Sequence, residues 1–173
     1  DEDLLEDARR RLEGYLRGEG YWQARVAYTR TLADGRLRVA FDVRAGRRFT
    51  LEAIEVTGAA SVTRAEIDEV MGLRTGRPFV EAQLDADVLA VSQLYVRRGF
   101  NQVTVQRAVS EVATSGGEAR VAVTLTIGEG PRTLFGEIAL TGDLGLDEAS
   151  LRRVVQARRD GSFDLAPVSY THL

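Results

Sequence analysis

The sequence has no cysteine, no lysine and a single histidine, His172, next to last in a chain of 173 residues. Without cysteine there is no disulfide, no thiolate nucleophile and no cysteine metal site. With one histidine at the end of the chain, imidazole acid/base chemistry and histidine metal ligation have almost nothing to draw on. Long apolar runs are also missing. The most apolar stretch, Val88 to Val96, is broken by Ser92 and Gln93 and falls far short of the roughly 20 residues of a bilayer-spanning helix. The opening Asp1-Glu2-Asp3 has neither the basic start nor the apolar core of an export signal, so such a signal is expected upstream of this sequence.

What remains is an ordinary soluble composition, 44% hydrophobic and 28% charged, with a formal net charge of −3. All 23 basic residues are arginine and they are scattered, while 26 acidic residues outnumber them. A duplex nucleic acid needs a concentrated basic footprint, and no stretch supplies one, so no nucleic-acid partner is expected.

The chain repeats itself. Leu16-Arg-Gly-Glu-Gly20-Tyr21-Trp-Gln-Ala24-Arg-Val26 matches Tyr95-Val-Arg-Arg-Gly99-Phe100-Asn-Gln-Val103-Thr-Val105, 79 positions on. Further blocks match 84 positions on: Arg38 to Gly46 with Ala122 to Gly130, and Ile54-Glu-Val56-Thr-Gly58 with Ile138-Ala-Leu140-Thr-Gly142. The five extra residues fall in the turn Ala113 to Glu118, longer than its counterpart at Ala33-Asp-Gly35. A period of this size marks tandem structural units.

One period reads as β-α-α-β-β. Phe49 to Thr57 is a β-branched, apolar strand whose alternation slips between Ala53 and Ile54, where a bulge is expected. Thr63-Arg-Ala-Glu66 is a capping box opening a short helix that Gly72 stops. A second helix spans Glu81 to Arg98, with Leu84, Val88, Val91 and Tyr95 on one face and Gly99 as its stop. Strands Asn101 to Ser110 and Arg120 to Ile127 follow, each alternating and so burying one side, which places both helices on one face of the sheet. The fold class is therefore α+β, built of tandem β-α-α-β-β units, each a three-stranded mixed sheet with two helices on one face. The division expected is 1–46 for the C-terminal part of one unit, 47–129 for a complete unit, and 130–165 for the start of another. Residues 166–173, with a proline and no helical period, read as a non-native tail. The joints are short, which predicts a beaded arm with limited bending.

Five stretches in order carry a family resemblance: Ile54-x-Val56-x-Gly58, Gly76-Arg-Pro-Phe79, Tyr95-x-x-x-Gly99-Phe100, Phe100-x-x-Val103-x-Val105 and Ile127-x-x-Gly130-Pro131. With their recurrences, over about residues 4–165, they resemble polypeptide-transport-associated (POTRA) domains, the tandem modules preceding the β-barrel in outer-membrane-protein assembly factors of the BamA and TamA type. The resemblance implies a periplasmic arm attached to the outer membrane through a C-terminal barrel of the same chain. It also implies unfolded outer-membrane protein or autotransporter clients, docking of accessory assembly proteins, no cofactor and no enzymatic activity. Two alternatives stay open, the POTRA domains of a two-partner secretion transporter and a structural spacer that binds no client.

The charged and aromatic clusters have plain readings. Asp85 and Asp87, two apart on a helix, point in different directions and make no paired acid. Arg9-Arg10-Arg11 and Arg97-Arg98 suit solvated or helix-end positions. Gly142-Asp-Leu-Gly145 has the glycine pattern of an RNA-clamping loop but sits between strand and helix. Tyr21 and Phe100, after the helix stops, suit the core, whereas Trp22, opposite Asn101 in the repeat, is expected to point outward. With the last strand central, the first and second strands are edges whose unpaired N–H and C=O groups can accept an incoming strand. The resemblance implies that mode of client binding. The candidate receiving residues are Gln102, Val103, Thr104, Val105, Gln106 and Arg107, with the counterpart Gln23, Arg25, Val26 and Tyr28. Arg25, Arg30 and Arg107 are charges of the kind that discourage edge pairing.

Overall fold

The computed structural model describes residues 2–115 and 118–134. The strand and helix expected after residue 134, the Gly142–Gly145 segment, and the tail with His172 lie outside the described residues. The first helix, α1 (Glu2–Gly18), is laced by ion pairs one turn apart, Arg9–Glu6 at 2.6 Å, Arg9–Glu13 at 3.1 Å and Arg11–Asp7 at 2.7 Å. Such pairs on a solvated helix face add little to stability, and α1 buries none of its residues fully. The chain then forms the antiparallel hairpin β1 (Arg25–Ala33) and β2 (Arg36–Arg44). Its turn residues Asp34 and Gly35 both have positive φ, 52° and 70°, the two-residue geometry whose twist matches that of the strands.

The middle of the chain holds β3 (Arg48–Thr57), α2 (Arg64–Val70), α3 (Glu81–Arg97), β4 (Thr104–Ser115) and β5 (Glu118–Gly128). The sheet order is β3-β5-β4, with β5 central, parallel to β3 and antiparallel to β4. Central placement follows from the cleanest alternation in the sequence: Ala119, Val121, Val123, Leu125 and Ile127 are all buried. They meet Phe49 and Leu51 of β3, Ile67 of α2, and Leu84, Val91 and Tyr95 of α3 in a single core. One core means that both helices cover one face, and the fold is the α+β arrangement expected. Each large apolar side chain so buried stabilises the unit by roughly 1.5–3 kcal/mol.

Local details differ from the sequence reading for identifiable reasons. The β3 register shift falls between Leu51 and Ala53, so Glu52 is the extra residue; that shift turns Ile54 and Val56 toward the core. Residues 101–103 form a turn, closed by the Val103 N–H on the Phe100 carbonyl at 3.3 Å, so β4 starts at Thr104 and runs on to Ser115. Helix α2 ends with Met71 already extended, one residue before Gly72, because the Asp87 carboxylate draws the next two N–H groups away from the helix. Gly58 is fixed by two observations: its φ is 79°, and a Cβ there would lie 2.0 Å from the Ile127 carbonyl oxygen.

Candidate functional site

The candidate site is the free edge of a sheet, so the question is where each edge strand sends its outward backbone groups. On the first half of β3 they are taken. Phe49 N–H donates to Gly20 O (2.8 Å) and Leu51 N–H to Arg77 O (2.9 Å). In return Phe79 N–H donates to Phe49 O (2.8 Å) and Gly76 N–H to Leu51 O (2.7 Å). The Gly76-Arg-Pro-Phe79 segment, with its isolated Thr50–Pro78 bridge, thus shields the first half of β3.

On β4 they are open. The strand pairs with β5 from Thr104 to Ser115, and among the described residues no backbone group hydrogen-bonds to its other side. Val105 and Val109 lean on the core, while Thr104, Gln106 and Ala108 are exposed. Arg107 is drawn toward α3, 2.9 Å from Asp85 and 3.6 Å from Glu81. Of the candidate residues, Gln102 and Val103 lie in the turn before β4, and Thr104 to Arg107 form its start.

The counterpart group lies on the other sheet. Gln23 precedes β1, and Arg25, Val26 and Tyr28 are in it, with Tyr28 against Phe41 at 6.0 Å between ring centroids. Here the edge is guarded from α1. Val26 N–H donates to Glu13 Oε1 at 2.9 Å, and Arg17 reaches the Ala24 carbonyl at 3.4 Å. That N–H, together with Arg9 and Arg17, holds the Glu13 carboxyl below the usual carboxylate range. The repeat puts Ser92 where Glu13 stands, and the Ser92 hydroxyl turns back onto the Val88 carbonyl (2.8 Å) inside its own helix. The difference between a glutamate and a serine at one repeat position was the only sequence signal for this guard.

Three further residues make contacts that the sequence reading did not foresee. Trp22 does not point outward: its indole packs edge-to-face on Phe49 (5.5 Å, 82°) and Phe79 (5.1 Å, 78°), and its Nε1–H donates to Glu81 Oε2 at 2.8 Å. The reason is tertiary, since the rings that shelter it come from β3 and from the segment before α3, distant in sequence. Asp87 is 1% exposed and accepts from Gly72 N (2.6 Å), Leu73 N (2.9 Å) and Gln83 Nε2 (2.8 Å). Asp85 meanwhile faces solvent and Arg107, so the two aspartates diverge as their spacing requires. Glu66 completes the α2 capping box with Thr63 and also receives the Arg98 guanidinium, which holds its carboxyl down to about 2. Among the described residues no cluster of three or more histidine, cysteine or acidic side chains could hold a metal ion. No described helix is long and apolar enough to cross a membrane.

Comparison with known proteins agrees with this architecture. Residues 49–130 match the model of the POTRA family, described as a surface antigen variable number repeat. The fold is similar to that of the Haemophilus influenzae BamA POTRA3–5 crystal structure, with a TM-score of 0.56 and 18% identity over 93% of this chain and 64% of that one. BamA from Haemophilus ducreyi lacking POTRA domains 1–3 is similar with a TM-score of 0.52 and 21% identity, covering 72% of this chain and 23% of that one. A Treponema pallidum (strain Nichols) protein named "Putative outer membrane protein assembly factor" is 22% identical over 148 residues, 82% of this chain and 18% of the relative. The chain thus spans less than two thirds of the length of each of these three proteins.

Proposed function

We propose that this chain is part of the periplasmic arm of an outer-membrane β-barrel assembly or translocation factor, and that β4 receives unfolded client chains by β-augmentation. The arm is non-enzymatic, is tethered by a barrel of the same protein, and docks accessory assembly proteins. Its units divide near residues 46 and 129. The observation that carries the receptor reading is the asymmetry of the edges: β4 offers a 12-residue strand with an open side, whereas β3 is half covered and β1 is guarded by Glu13. An added strand gains main-chain hydrogen bonds with little demand on its sequence, which suits many clients.

The test is a proline scan of Thr104, Val105, Gln106 and Arg107 with titration of an extended outer-membrane-protein peptide. Consecutive residues direct their N–H groups to opposite sides of a strand. Alternate prolines should therefore weaken peptide binding while the fold survives, and the intervening ones should disturb the β4–β5 ladder. Unchanged affinity in all well-folded variants would leave the arm a spacer.

A further inference from the structure

We propose that successive units are held by one repeated docking joint, and that Trp22 stiffens the first copy of it. At the first joint Phe49 N–H donates to Gly20 O at 2.8 Å, and Arg48 Nε donates to Glu19 O at 3.0 Å. At the second, Thr133 N–H donates to Gly99 O at 2.8 Å, and Arg132 Nε donates to Arg98 O at 3.0 Å. These are the same repeat positions, Gly20 with Gly99 and Arg48 with Arg132. A third contact recurs as well. A Cβ on Gly46 would meet Gln23 at 3.8 Å, and one on Gly130 would meet Gln102 at 3.2 Å.

Each unit therefore presents the free carbonyls at the end of its long helix, groups with no partner inside the helix. The next unit supplies an arginine and an N–H from the start of its first strand. Backbone groups make most of these bonds, so the joint tolerates the change from Phe49 to Thr133 and from Glu19 to Arg98. The partner this helix end fits is the strand start of a following unit. A side chain at Gly20 would break the first joint, because φ there is 95° and a Cβ would stand 3.0 Å from both the Phe49 carbonyl and Pro78.

Among the described residues the copies also differ in the aromatic contact. The first adds the Trp22 indole, wedged on two phenylalanines of the next unit and tied to Glu81; the second has Asn101 at that position. Domain pairs with small interfaces ordinarily move relative to one another, and the wedge removes that freedom at the first joint.

The absence of cysteine makes the test direct. Spin labels on Thr29→Cys and Ala108→Cys, both exposed, span the first joint, and pulsed electron resonance reads their distance distribution. The expected result is a narrow distribution in the otherwise unaltered chain and its loss in Trp22→Ala. Arg48→Ala, which leaves the core residues in place, gives the same readout should the tryptophan variant fail to fold. Trp22 is also the only tryptophan, so its emission should stay shielded until far-UV circular dichroism reports unfolding. A distribution already broad in the unaltered chain, or one still narrow in folded Trp22→Ala and Arg48→Ala, overturns the proposal. The readout needs no client peptide, so the joint can fail while the β4 reading stands, and the reverse.

Discussion

Two stretches of this chain are copies of one sequence pattern, the helix and hairpin of residues 2–44 and those of residues 81–128, yet they bury very different amounts. Of its hydrophobic side chains the first buries only Ala24 and Val26, and Leu32 and Leu37 stand 73% and 55% exposed. The second buries Leu84, Val91, Tyr95, Val121, Val123 and Leu125. Both form a long helix, a glycine stop and an antiparallel hairpin, so local pattern is not what separates them. The second is joined to β3 and α2, which close its sheet and cover its apolar face. Secondary structure is a local property, whereas burial needs a partner surface.

The comparison can be sharpened by equivalent substitutions. Leu125→Ala removes a side chain at the centre of the core and should cost about 2–5 kcal/mol in chemical denaturation. Its repeat counterpart, Phe41→Ala, should cost well under half of that, because Phe41 is only half-buried. Equal losses would mean that the first hairpin has a closed core of its own.

Asp87→Ala comes next. It strands the Gly72 and Leu73 N–H groups, at about 1–3 kcal/mol for buried donors left without acceptors, and should loosen the turn between α2 and α3. The repeat counterpart is Ala8, so α1 has no such tie to lose. Faster amide exchange confined to residues 71–75 would locate the effect.

The smallest effect concerns Glu66, which belongs to the helix that the first stretch lacks. Its carboxyl lies at about 2 in the folded unit, chiefly through Arg98 and then Thr63, against an ordinary value of 4.5. A depressed carboxyl stabilises the fold above its unfolded value and loses that contribution as pH falls through the folded one. The melting temperature of the middle unit should therefore drop between about pH 4.5 and pH 2, and Glu66→Gln should flatten that part of the profile. An unchanged slope would mean that the Arg98 contact does not persist in solution.

Much of this was legible in the residues. The capping box at Thr63, the glycine stop at Gly99 and the alternation of β5 each act over a few residues, and each predicted an element that the structure contains. The edge strands were legible too, since clean alternation marked β5 as central. What escaped were contacts set by neighbours distant in sequence. Trp22 looked outward because its repeat partner is Asn101, and the rings that cover it are 27 and 57 positions on, at Phe49 and Phe79. Glu13 carried no mark of its own in the sequence, and only the approach of β1 makes it an acceptor for Val26.

The sequence by itself determined the period and the β-α-α-β-β order, because hydrophobic spacing and turn residues act through nearest neighbours. The tertiary structure alone decided which strand edge is covered, which aspartate is buried and where the Trp22 indole packs. Those outcomes depend on which backbone groups find a partner across space, and linear spacing does not encode that pairing.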